Sequence, residues 1–308
     1  MTFFARAKKE RGWLVVDESP EIVKYVHGAF EPGAVATVDL WGDAKLGAQA
    51  NLERIAKERH FDRYRCATLL RPGEYQLIQV DAPNVPPDEL KSAIRWSIKD
   101  MLDYHVDDAT LDVLDVPPES SGHGHTMFAV AAKNQTIQQR IRAFEDARIP
   151  LLVIDIPETA QRNIAALYEV DKRATALLFL DRDWGLLTIN YRGELYLARR
   201  FDIGVSHVAK YAPENRHDVL ERIQLELQRT FDHFDRQHGL PIAKLVLGPE
   251  PEEMGLEDFL RANLDISVER ADLAARLHAG PAAGFDAAAQ WRMFHLAGAA
   301  LRQETRTL

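Results

Sequence analysis

Thiol chemistry is almost missing from this 308-residue sequence: Cys66 is its one cysteine. A single cysteine makes neither an internal disulfide nor a cysteine zinc site, so its expected place is the core of a protein from a reducing compartment. Long apolar runs are missing too, with none near the roughly 20 residues of a membrane-spanning helix. The opening segment MTFFARAKKERG is too short and too charged to read as a secretory signal. The expectation is a cytoplasmic chain. Positive charge is in deficit, 38 Lys and Arg against 47 Asp and Glu for a formal charge of −9, which argues against general attraction to nucleic acid or anionic lipid. The basic cluster Arg6, Lys8, Lys9 and Arg11 reads as a solvated terminus. There is no G-x-S-x-G, no Walker loop and no Cys–His nucleophile arrangement. His123 and His125 have no third ligand at useful spacing, so no metal is assigned.

Hydrophobic residues at 46% and charged residues at 28% describe a globular chain long enough for two moderate lobes. Strands and helices alternate. Residues 13 to 16 and 22 to 26 read as a strand meander continued by AVATVDLW, followed by a helix in AKLGAQANLERIAKERH with Leu46, Leu52 and Ile55 at helical spacing. RCATLLRPGEYQLIQVD reads as a strand pair around Pro72-Gly73. In VPPDELKSAIRWSIKDML, Asp88 is a candidate N-cap and Leu90, Ile94, Ile98 and Met101 share one face. Trp96 lies off that stripe and points outward, either against a neighbouring lobe or as an anchor for a partner peptide. Two strands and the helix NQTIQQRIRAFEDARI complete a small subdomain over about 78 to 148.

After LLVIDI and the helix PETAQRNIAALYE, the strands ATALLFLD, LLTINYRG and ELYLARRFD make the second half begin like the first: a strand ending in aspartate, a short loop, a returning strand. A long surface helix with Leu220, Ile223, Leu227 and Phe231 on one stripe stops at Gly239, and FDAAAQWRMFHLAGAALRQE closes the chain as a helix. A phosphate site needs converging backbone N–H groups free of side chains. In LVVDESPEIVK the turn instead carries Glu18, Pro20 and Glu21, and in LFLDRDWGLLTIN Asp181 and Gly185 flank Arg182, Asp183 and Trp184.

Together these segments resemble the PilM family of actin-like type IV pilus assembly proteins and, within it, the MshI branch of mannose-sensitive haemagglutinin (MSHA) pilus biogenesis. VPPDELKSAIRWSIKDMLDYHVDDATLDVLDV is the most specific piece, and VLERIQLELQRTFDHF is similar to a family helix. The resemblance implies an α/β, actin/Hsp70-like two-lobed ATPase fold, with duplicated ribonuclease-H-like sheets and an inserted α+β subdomain of the FtsA/PilM type. Its implied boundaries are residues 1–77 with a C-terminal helix 285–308 for lobe 1, 78–148 for the insert and 149–284 for lobe 2. Against the family's first phosphate loop this chain keeps Asp17 and Lys24, with Ser19 where glycine is expected. In the second it keeps Asp181, with Gly185 nearby, and in the third Gly248, with Glu250 among residues that replace small ones.

These departures remove donors and add negative charge, which implies a vestigial cleft with no cofactor and no catalytic residue. The implied function is a scaffold binding the cytoplasmic tail of a PilN-like bitopic inner-membrane protein, together with other pilus platform components. Trp96 would contribute to that docking. The chain would be cytoplasmic, peripheral to the inner membrane of a Gram-negative bacterium, and in contact with the membrane only through its partner. Two alternatives stand: a slow Mg-ATPase using ATP and magnesium at Asp17 and Asp181, or the cytoplasmic module of a GspL-like type II secretion protein. Against the latter, GspL normally continues into a membrane span, and this sequence ends at ALRQETRTL.

Overall fold

The computed structural model describes residues 10–30, 35–47, 51–117, 125–170, 173–279 and 284–303. β1 (Trp13–Glu18) has a buried apolar start and turns into β2 (Ile22–Ala29), and β3 (Thr37–Lys45) returns beside β2 to complete an antiparallel meander. The helix expected over residues 44–60 is confined to α1 (Leu52–Glu58). β3 continues to Lys45, and the Asn51 side chain accepts the Arg54 N–H to start the helix. β4 (Cys66–Leu69), buried at every position with Cys66 in the core, runs parallel to β1.

The chain then leaves this sheet. β5 (Tyr75–Asp81), α2 (Leu90–Ile98), β6 (Ala109–Val116) and β7 (Thr126–Lys133) make a separate three-stranded sheet in the order β5-β7-β6, followed by α3 (Asn134–Asp146). Ile94 and Ile98 of α2 pack on Val80, Leu111 and Met127. Pro72-Gly73 is therefore not the turn of a hairpin. β4 is apolar on both faces and fits the middle of a parallel sheet, whereas β5 is half-exposed and pairs with β7. Glu89, not Asp88, precedes α2, without a side-chain cap, and Met101 falls beyond the helix and is exposed.

β8 (Leu151–Asp155) rejoins the first sheet beside β4, and α4 (Pro157–Ala165) follows with proline at its start. The second sheet is built from β9 (Ala174–Leu180), β10 (Gly185–Tyr191) and β11 (Glu194–Phe201), then α5 (Val205–Ala209), α6 (His217–His238), β12 (Ile242–Leu247), α7 (Leu256–Asn263) and β13 (Ser267–Arg270). α8 (Leu273–Arg276) and the short β14 (His278–Ala279) lead to α9 (Ala287–Ala300).

The sheet orders are β14-β3-β2-β1-β4-β8 and β11-β10-β9-β12-β13. Leaving out β14, the two are the same unit: three antiparallel strands, then two parallel ones added beside the first. β8 and β14 thus pair in the first sheet, although residues 149–284 are the range the sequence suggests for the second lobe. Each is apolar or short enough to read equally as a member of either sheet.

α4 and α9 lie between the two units, sharing one core with Val15 and Val26 on one side and Leu177, Phe179 and Val246 on the other. A helix between two sheets has no solvent face, and α4 is buried at every position. The helices touch at Gly298, where a methyl group would overlap the Ala160 carbonyl oxygen. Asn163 donates to the Gly298 carbonyl at 2.9 Å across the same contact.

Candidate functional site

β1 and β9 are the first strands of the two repeats, and each carries an aspartate to the cleft between them, Asp17 one residue before the end of β1 and Asp181 one residue after the end of β9. Asp17, Lys24, Arg71, Asp181, Trp184 and His295 line a cavity of about 110 Å³. That is well below the roughly 300–1,000 Å³ of small-molecule sites. Asp17 accepts a hydrogen bond from Arg71 Nη2 at 2.9 Å, and the same nitrogen donates to the Glu18 carbonyl oxygen. Arg71 comes from the β4–β5 connection, whose departure from the sheet carries it over the first turn. Ser19 is turned inward on its own hairpin: its Oγ donates to the Ile22 carbonyl at 2.9 Å and accepts the Ile22 N–H at 3.1 Å. Glu18 is half-buried, and burial holds its carboxyl above the usual range against the pull of Arg140 and Arg71.

The second loop uses its own donors. The Arg182 N–H donates to Asp181 Oδ1 at 2.6 Å, and the Asp181 N–H closes the turn onto the Trp184 carbonyl at 2.9 Å. Val205 and Ser206, at the start of α5, donate to the Asp181 and Arg182 carbonyls at 2.8 Å each. Burial raises the Asp181 carboxyl, the Arg182 amide and Lys24 lower it, and Asp183 and Asp17 raise it again. Asp17, Lys24 and Asp181 are therefore brought within electrostatic reach of one another. Gly185 opens β10 and packs beside Phe201.

Gly248 and Glu250 do not line this cavity. The Gly248 N–H continues the ladder to the Leu178 carbonyl at 2.7 Å, and a Cβ there would meet the Phe179 ring at 2.6 Å, so glycine serves packing. Glu250 is buried 3.2 Å from Arg270 Nη2, which also reaches Glu253 and Glu257. Burial pushes its carboxyl up to about 7, with Arg270 pulling the other way.

Aromatic groups from α9 fill the floor of the cleft. Trp291 donates its Nε1–H to the Leu180 carbonyl at 2.8 Å. His295 is buried between Phe179, edge-on at 4.7 Å between ring centroids, and Trp184, stacked at 5.9 Å. Burial lowers its pKa to about 3, so the ring is neutral and its Nε2 bonds Gln161 Oε1 at 3.3 Å. Behind it Glu158 of α4, almost fully buried, accepts a hydrogen bond from the Tyr75 hydroxyl and lies 2.5 Å from Arg200 Nη2. Burial drives Glu158 up to about 8 and Arg200 down to about 10; the close contact opposes both shifts and favours the ion pair.

Sequence reasoning passed over Arg71, Trp291, His295 and Glu158. The readable signal was polar residues, Trp291, Arg292 and His295, inside an otherwise apolar last helix. Trp96 is 71% exposed on α2, with Lys99 Nζ 5.4 Å from its ring centre. Among the described residues no three His, Cys, Asp or Glu side chains are grouped to hold a metal; His125 bonds Asp115 at 2.5 Å, and His123 lies outside the described residues, as do Arg6, Lys8 and Lys9.

The architecture has solved counterparts. The PilM–PilN type IV pilus biogenesis complex contains a chain that superposes with a TM-score of 0.70 at 17% identity, over 94% of this chain and 97% of that one. The two chains share their fold. The cytoplasmic domain of EpsL, an inner-membrane component of the Vibrio cholerae type II secretion system, shares the fold with a TM-score of 0.51 at 13% identity, over 92% and 94% of the two chains. A Bacteroides thetaiotaomicron protein with an actin-like ATPase fold and unknown function aligns with a TM-score of 0.47 at 10% identity over 96% and 99%. No protein-family model and no curated protein matches the sequence. The β1–β2 and β9–β10 turns flank the cavity, and the β5–α3 segment stands between β4 and β8 of the first sheet. Among the described residues no helix is long and apolar enough to cross a membrane.

Proposed function

We propose that this chain is a non-catalytic actin-like scaffold of a type IV pilus assembly platform, of the MSHA type, that binds the cytoplasmic tail of a PilN-like inner-membrane partner. The observation that carries the non-catalytic reading is the cleft itself. Asp17 is already held by Arg71, the amide of the second loop is turned onto Asp181, and Trp184, Trp291 and His295 occupy the space between the lobes. These residues do not fit a magnesium nucleotide: in a cavity of about 110 Å³ a polyphosphate would have to displace Arg71 from Asp17 and the rings of Trp184, Trp291 and His295. The pilus assignment is supported by architecture shared with a PilM–PilN complex over nearly the whole chain, insert included. Localisation at the cytoplasmic face of an inner membrane, through the partner alone, follows from the same reading.

Two other readings each have an observation in their favour. The likeness to the EpsL cytoplasmic domain favours a type II secretion module, and the meeting of Asp17, Lys24 and Asp181 in one cleft favours a slow ATPase. Trp96, exposed on the insert, is the candidate anchor for the tail. A pull-down with the partner's cytoplasmic tail should retain the wild-type chain, and Trp96→Ala should cut retention at least about tenfold, the loss typical of an aromatic anchor. Retention unchanged when the tail is deleted would count against the scaffold reading.

A further inference from the structure

The three-stranded sheet of the insert lays one face on the second sheet, where Leu77 of β5, Phe128 of β7 and Leu114 and Val116 of β6 join its core, and β6 lies at one edge. β5 lies at the other, and among the described residues no strand pairs with its outer side. The Ala82 N–H donates to the His125 carbonyl at 2.8 Å, and the pairs Val80↔Met127 and Ile78↔Ala129 continue in register. In an antiparallel ladder bonded pairs alternate, so Gln79 and Asp81 turn their N–H and C=O groups away from β7, toward solvent. A groove of about 480 Å³ runs along this edge, lined by Gln79, Asp81, Ser97, Met101, Thr126 and Gln237. Exposed edges are normally blunted by charged residues, proline or a covering element; at residues 79 to 81 Asp81 is the one charge, there is no proline, and Gln237 of α6 borders the groove without pairing.

The two sides of the groove differ in chemistry. Val80 faces α2, beyond whose end Met101 is 55% exposed, so one side offers apolar surface. On the other, Asp81 is exposed in the groove lining; Asp100 and Asp103, exposed too, flank Met101 along the chain on the α2 side. None of the three has a cation within ion-pair distance among the described residues. Four basic side chains of α2 and β7 are engaged elsewhere: Lys91 with Asp112 at 2.8 Å, Arg95 with the Val106 and Ala109 carbonyls, Lys99 over Trp96 and Lys133 over Tyr104.

We propose that the open edge of β5 binds an extended, basic segment of a partner polypeptide, which adds as a fourth strand with alternate apolar and cationic side chains toward Met101 and the free carboxylates. The main chain of β5 supplies affinity, and the uncompensated acids select a cationic partner over an acidic one. The site is separate from the interlobe cleft and does not depend on the identity of the membrane partner.

The test uses the full chain and a labelled, capped hexapeptide alternating lysine with valine, plus two twins of identical charge N-methylated at the lysine or at the valine amides. Binding by fluorescence anisotropy should fall about tenfold for one twin and little for the other, since only one set of amides faces β5. Amide exchange at Gln79 and Asp81 should slow on adding the parent peptide. Gln79→Pro removes an outward-facing N–H and the exposed side-chain bond to Thr126 but no ladder bond to β7, so it should abolish peptide binding where Gln79→Ala, which loses the side chain alone, does not, and Asp81→Asn should weaken it while preserving the exchange pattern. Equal binding of all three peptides would reduce the site to bulk charge attraction and overturn the proposal. Protection of Gln79 and Asp81 that rises with protein concentration in the absence of peptide would assign the edge to a second copy of the chain, and would overturn it equally.

Discussion

At the scale of single residues, the carboxylates of this protein are held by their own surroundings. Asp17 is held by Arg71, Glu158 by Tyr75 and Arg200, and Glu250 by Arg270. Glu250 gives the clearest titration. Burial places its folded pKa at about 7, above the unfolded value near 4.3, so between those limits the folded state binds more protons than the unfolded state. Stability attributable to this group is therefore present at low pH, declines as pH rises through about 7, and is constant above it. Glu250→Gln removes the slope. Urea unfolding should show the variant gaining on the parent by at most about 3 kcal/mol between pH 5 and pH 8, and parallel curves would contradict the assignment. Asp17 and Asp181, within one residue of the ends of β1 and β9, were legible because an apolar run that gives way to an acid before a tight turn is a local pattern. Arg71 and His295 were not, because their partners come from distant segments that only the fold brings together.

At the scale of elements, α4 and α9 decide how closely the two repeats approach. Gly298→Val should cost about 3 kcal/mol, because a side chain there can be admitted only by moving the backbone of α4. Thermal unfolding measures this directly, and an unchanged midpoint would mean that the two helices do not bear on each other at Gly298. α6 and its stop at Gly239 were readable from spacing and from glycine's tolerance of the left-handed conformation, at φ 62°. Its stripe is completed by Thr230 and Phe234, with Phe231 only half-buried. The β4–β5 pair was misread because a Pro-Gly turn between two apolar runs is the same local signal whether the second run pairs with the first or departs for another sheet. Only pairing partners far along the chain distinguish the two.

At the scale of the whole molecule, two copies of one five-strand unit enclose two buried helices, with a small sheet inserted at the end of β4. The repeat showed through the sequence as two strand–aspartate–loop–strand passages, while the sheet membership of β8 and β14 did not, since strand pairing is set by non-local contacts. Tyr75 of the insert, Glu158 of the central helix and Arg200 of the second sheet meet at one buried point, tying the three parts together behind the cleft. The proposed scaffold role needs no opening and closing of the cleft in a nucleotide cycle. Calorimetric titration of the intact chain with Mg-ATP addresses this most directly. The scaffold reading predicts no saturable heat at millimolar nucleotide, with or without magnesium. A one-to-one, magnesium-dependent isotherm would contradict it.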